Sequence, residues 1–162
     1  MVSNGNTATR MAPAAREQDM PSFSGSFSAK TNSQAMLAVQ DEPDHEIGIV
    51  EVRGPQVSSD PLWNGATVSY WGIADLIAGK GTQTGYFNNV HADGGRDFGT
   101  FEGKVSTVGD ITTVEGTFTI TGGDGQYRGI TGGGNFKTVA KSETEIEATW
   151  TGAYELAKAQ AG

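Results

Sequence analysis

The sequence predicts an all-β chain, a single antiparallel β-barrel of about eight strands. Three observations carry that expectation. Glycine makes up 24 of 162 residues, about twice its ordinary share, and it recurs beside Thr, Val and aromatic residues, a mixture suited to strands and tight turns. From His45 onward, strand-length segments alternate with short turns rich in Gly and Asp, the pattern of a hairpin meander. No segment of ordinary helix length carries a helical pattern, apart from a short stretch at 155–160. A meander of this kind removes its edges by closing on itself.

The elements follow in order. Residues 1–21 are polar and irregular and lack an apolar signal core, so they read as a flexible leader, with Met20 a candidate natural start. Residues 22–44 read as an N-terminal arm and acidic linker: FSGSFSAK at 23–30 pairs as an edge strand or wraps as an arm, and QDEPDHE at 40–46 is a connector broken by Pro43. Its Asp41, Asp44, His45 and Glu46 read as solvated, since nothing fixes a ligand geometry among them. The barrel domain is placed at 45–157, with a tail at 158–162. Its strands are predicted at 46–53, 66–77, 82–91, 96–107, 111–121, 135–140 and 143–156, and a glycine-rich segment occupies 122–134.

Turn chemistry extends this to a register. If Gly109-Asp110 is a two-residue turn, Val108 faces Ile111, Val105 faces Val114, Gly103 faces Gly116, Phe101 faces Phe118 and Gly99 faces Ile120. That register gathers apolar side chains on one face and leaves Thr100, Glu102, Lys104, Glu115, Thr117 and Thr119 on the other. Pairing Arg96 with His91 continues the apolar face through Tyr86 and Val90 and adds Asn88 and Asp97 to it. Alternation also puts Ile146, Ala148, Trp150, Gly152 and Tyr154 on one face, with Glu143, Glu145 and Glu147 on the wet one. An aromatic interior spaced by glycines leaves room for a small apolar ligand.

Composition excludes several functions. A net charge of −8 disfavours nucleic acid and anionic membrane surfaces. The apolar runs are too short to span a bilayer as helices. With no cysteine there is no thiol nucleophile or thiolate metal site. No metal or cofactor is expected, and the default location is cytoplasmic.

The segment TVEGTFTITGGDGQYRGITGGGNFKTV at 113–139 resembles the signature of the allene oxide cyclases, shared in related form by dirigent proteins. There a strand ending Ile-Thr-Gly-Gly runs into a glycine-rich turn with an aromatic residue and Gly-Val/Ile-x-Gly. Ile120, Thr121, Gly122, Gly123, Gly125, Tyr127, Gly129, Ile130 and Gly132 match it. Tyr127 and Ile130 are placed to plug the barrel end. IVEVRGP at 49–55 and GATVSYWG at 65–72 resemble that family's first two strands. The resemblance implies the barrel fold, a trimer, and a role for Glu51 in steering substrate charge.

The catalytic candidates are Glu51 and Asp97. A carboxylate inside an apolar barrel is desolvated and suited to proton transfer. Alternation leaves Glu51 open: Val50 and Val52 claim one face, Ile47 and Ile49 the other. Asn88 and Asp97 either grip a ligand or satisfy backbone groups at the rim. Asp75 joins them only if Gly79-Lys80 is a two-residue turn. Tyr70, Trp71, Tyr86, Phe101, Phe118, Trp150 and Tyr154 supply aromatic surface, and Trp63 a lid. His91, Arg96 and Glu102 read as a polar rim cluster. Phe87 and Phe98, on the otherwise polar face, are candidate contacts between copies. The expected function is a cofactor-free cyclase or isomerase that positions a small hydrophobic substrate. The alternatives are a non-catalytic carrier barrel and a packed structural barrel.

Overall fold

Alternation carried around a closed circle produces the architecture. The computed structural model describes residues 22–142 and 144–157, and its eight strands form one closed antiparallel barrel in chain order. They are β1 (Ser22–Ala38), β2 (His45–Ser58), β3 (Thr67–Ile77), β4 (Lys80–Val90), β5 (Arg96–Val108), β6 (Ile111–Gly123), β7 (Thr131–Ala140) and β8 (Glu145–Glu155). A single turn of 3-10 helix, Gly125–Tyr127, interrupts the β6–β7 connection. The leader at 1–21 with Met20, Glu143, and the tail at 158–162 lie outside the described residues. So does the second half of the stretch expected to be helical at 155–160; its first residue, Glu155, ends β8, and residues 156 and 157 are not helical.

The segment 22–38 is a wall strand, which corrects its reading as an arm. It pairs with β2 on one side and with β8 on the other, from Ser22↔Ala153 to Lys30↔Glu145, and so closes the barrel. Its signal is faint because Ser and Gly dominate it. Only Phe23, Phe27 and Ala29 mark its inward face in the half that pairs with β8. A bulge between Thr31 and Ser33 resets its alternation. β2 likewise continues past Gly54-Pro55 to Ser58. The ladder to β1 lapses there, between Arg53↔Lys30 and Gln56↔Phe27, and proline, which has no N–H to give, is tolerated at such a gap.

The β5–β6 hairpin has the predicted register, including Val105↔Val114, Gly103↔Gly116, Phe101↔Phe118 and Gly99↔Ile120. The β4–β5 register differs by one residue. Val90, not His91, pairs with Arg96, and a one-residue slip reverses every side chain on the strand. The connection runs over 91–95, with Gly94 at φ 89°, and His91 is buried rather than left at the rim. Tyr86, Asn88 and Val90 therefore sit on the outer wall, while Phe87 and Asn89 turn inward.

The interior aromatics lie opposite glycines. Phe101 pairs with Gly85, Phe87 with Gly99, Phe118 with Gly134, Phe136 with Gly116 and Trp150 with Gly25. Each ring needs the space that a facing side chain would take. At Gly99 an added Cβ would stand 2.7 Å from the Phe87 ring. One end of the barrel is sealed by the β2–β3, β4–β5 and β6–β7 connections. Trp63, Tyr127 and Ile130 plug it, none more than 2% exposed.

Candidate functional site

Inward residues leave two adjoining chambers. At the plugged end is a narrow space of about 90 Å³, walled by Phe23, Phe27, Phe87, Phe101, Phe118 and Trp150. Toward the opposite end it meets a wider space of about 750 Å³, and Tyr70, Gln83 and Thr138 line both. The wide chamber reaches exposed residues at that end, Gln34, Asp110, Lys141 and Ser142. Burial holds the Tyr70 hydroxyl well above its usual pKa, so it stays protonated and able to donate.

A chain of buried hydrogen bonds crosses the plugged end. Trp150 Nε1 donates to Gln56 Oε1 at 2.7 Å, Gln56 Nε2 to Asn89 Oδ1 at 3.2 Å, and Asn89 Nδ2 to Asp97 Oδ2 at 3.1 Å. The direction is forced from the Trp150 end, because an indole N–H only donates. At the far end His91 Nε2 lies 2.6 Å from Asp97 Oδ1, and His91 Nδ1 donates to the Leu62 carbonyl at 2.8 Å. A carbonyl only accepts, so Nδ1 carries a hydrogen, and one further proton is held between Nε2 and Asp97. Burial works against the imidazolium here, but the Asp97 carboxylate and the Leu62 carbonyl outweigh it and raise the His91 pKa. The ring stacks on Tyr127 at 4.0 Å and meets the edge of Trp63 at 4.8 Å. Beside them Tyr154 donates to Asp60 at 2.6 Å.

Of the expected site residues, the structure brings Asp97, Tyr70, Phe101, Phe118 and Trp150 to the narrow chamber. Tyr154 is buried in the plug against Phe23 and Trp63. The others are on the outside. Val50 and Val52 win the inner face of β2, so Glu51 points outward and accepts from Trp71 Nε1 at 2.8 Å. Trp71 pairs with Tyr86, which is 60% exposed, and both face away from the interior. The β3–β4 turn is Ala78-Gly79, with Ile77 opposite Lys80. Asp75 is therefore outside, where it meets His45 Nε2 at 2.7 Å, while Asp41 meets Nδ1 at 2.6 Å. Those two carboxylates raise the His45 pKa. Asn88 is outside between Ser69 and Phe98. Trp63 serves as a plug, not as a lid on the open end.

Sequence reasoning passes over Gln56, Asn89 and Gln83, and it assigns Phe87 to the outer face as a contact between copies. For Phe87 and Asn89 the missed signal is the β4–β5 register alone. Gln56 lies beyond Gly54-Pro55, where composition predicts that the strand stops.

No family model matches the sequence, and no curated protein matches it. Among solved structures, that of the pterocarpan synthase dirigent protein GePTS1 is similar, at 13% identity and a TM-score of 0.48 over 85% of this chain and 90% of that one.

Proposed function

We propose that the barrel binds a small, largely apolar organic molecule in its interior and holds it in one conformation for a cofactor-free cyclisation or isomerisation. One observation carries this: two adjoining chambers that share Tyr70, Gln83 and Thr138, one wide and the other a narrow aromatic space floored by a buried polar chain. The molecule enters by the wide end and seats its leading group against the aromatic rings. Apolar burial supplies affinity. Confinement removes the rotational freedom that a flexible substrate must lose before its ends meet. Charge that develops near the floor is met by the amides of Gln56 and Asn89. Asp97 and His91 hold those amides in place and set the local field. Asp97, inside, takes the place expected for Glu51, but it acts as a positioning residue, since its side chain is 0% exposed.

Native mass spectrometry of protein from its own host tests the reading. The expected result is a chain carrying a small apolar molecule, and loss of that molecule in Ala74→Trp, which fills the wide chamber from β3. Bound material that converts to an isomer of equal mass on incubation supports the catalytic half. An Ala74→Trp variant that carries the same load as the natural chain would place the ligand elsewhere and sink the proposal.

The partner is a second copy of this chain. Phe87 is taken up inside and Phe98 is half-buried under Arg96, so the contact belongs on another part of the outer wall. There Leu37 pairs with Ile47, and Ile49 with Ile73, all exposed.

A further inference from the structure

The floor of the narrow chamber has a polarity of its own, and it restricts what the chamber accepts. The Gln56 oxygen is taken by Trp150 and the Asn89 oxygen by Gln56. The two Asp97 oxygens are taken by Asn89 and His91. Each of the two amide nitrogens has two hydrogens and spends one of them in the chain. The unused hydrogens on Gln56 and Asn89 are the chain's remaining donors. Both residues line the chamber. Asp97 also borders it, yet its side chain has no accessible surface, so an incoming group meets the amides and not the carboxylate. The imidazole beyond Asp97 is sealed as well, at 1% side-chain exposure.

The geometry points to a ligand that is uncharged and apolar and leads with a small hydrogen-bond acceptor, a carbonyl oxygen above all. This rests on interior binding as proposed above and names the ligand's chemical class. Size limits the leading group further. About 90 Å³ is well below the apolar cavity of about 150 Å³ that takes a benzene ring elsewhere, so the leading group is an acetyl-sized head and not an aromatic ring. The bulk of the molecule stays in the wide chamber, among Val50, Leu76, Val105, Val114 and Ile146. A cationic head would find donors facing it and a carboxylate already engaged, and a bare alkyl head would leave two amide hydrogens dry.

Three probes of one length separate the possibilities: methyl heptyl ketone, nonane and nonylammonium, titrated against the natural full-length chain by tryptophan fluorescence and calorimetry. The ketone is expected to bind about tenfold tighter than nonane, with nonylammonium weakest. Gln56→Met removes one of the two donors and is expected to cut the ketone's advantage over nonane to about threefold, because Asn89 keeps its own unused hydrogen. Should that variant not fold, Gln56→Glu in its protonated form still accepts from Trp150 and gives its one hydrogen to Asn89, leaving none at position 56 for the ligand, and the same reduction is expected. Equal binding of ketone and nonane, or tightest binding of nonylammonium, would overturn the inference and leave interior binding standing. Failure of all three to bind would overturn both.

Discussion

His91 and Asp97 share one proton inside the plug, and that proton makes stability depend on pH in a definite direction. The His91 pKa is raised in the fold above the unfolded value of about 6.5. Its contribution is therefore full below about pH 6.5 and is lost as pH rises through the folded value. Asp97→Asn should reverse the slope. The amide can donate to a neutral Nε2 and still accept from Asn89, so burial becomes the dominant influence and lowers the pKa. Stability is then lost as pH falls below about 6.5. Urea unfolding between pH 5 and 9 reads both slopes. It belongs in a His45→Asn background, because Asp41 and Asp75 raise the other histidine in the same sense. Asp97→Ala instead leaves His91 and Asn89 without a partner and should cost about 3–5 kcal/mol. An unchanged slope in Asp97→Asn would show that the pair carries no proton between them. Of this network Asp97 and Trp150 are legible in the sequence, because the Gly109-Asp110 turn fixes the faces of β5 and plain alternation those of β8. His91 reads as a rim residue, since no local signal says that a loop will fold over it.

Turns decide which strands can be read. Gly109-Asp110 has positive φ only at its first residue, at 63°, the pattern of a two-residue turn with Gly first. It gives β5 and β6 their register directly. The β3–β4 turn is different: Ala78 and Gly79 both have positive φ, 53° and 80°, which is the demand of a type I′ turn. Alanine is a poor occupant there, and its presence hides the turn, so the sequence suggests Gly79-Lys80 instead. Ala78→Asn restores the preferred Asn-Gly pair and should stabilise the barrel by about 0.5–1 kcal/mol with its contacts unchanged. The measurement is the denaturation midpoint with the urea slope held constant. A lower midpoint would mean that Ala78 is not strained. β1 is the element composition conceals most fully, because its inner face is paid out in Phe23, Gly25, Phe27 and Ala29 among serines. Its partner β8 carries alternating Ile146, Ala148, Trp150 and Tyr154, and is read without difficulty.

A closed barrel has no free backbone edge, so a second copy can join this molecule only through side chains on its outer wall. Most of that wall is Thr, Lys and Glu, as on the outer faces of β5, β6 and β8. The wall of β1 to β4 departs from this. Ile47 is 41% exposed, Ile49 51%, Ile73 50%, Leu37 67% and Tyr86 60%, and the pairings Leu37↔Ile47, Ile49↔Ile73 and Trp71↔Tyr86 join them into one patch. Scattered surface apolar residues are ordinary, whereas a contiguous patch spanning four strands marks a contact surface. The net charge of −8 opposes non-specific clustering, so the proposed association rests on a fitted apolar contact of this kind. Light scattering at micromolar concentration should give at least twice the 16.9 kDa chain mass, in whole multiples. Leu37→Glu with Ile47→Glu puts two like charges directly opposite each other on the patch and should return the mass to that of one chain. Both side chains face solvent in the isolated barrel, so the double variant should keep the natural circular dichroism and bind the same interior ligand. A natural chain that scatters as a monomer would refute the contact. A double variant that stays assembled would move it off these strands.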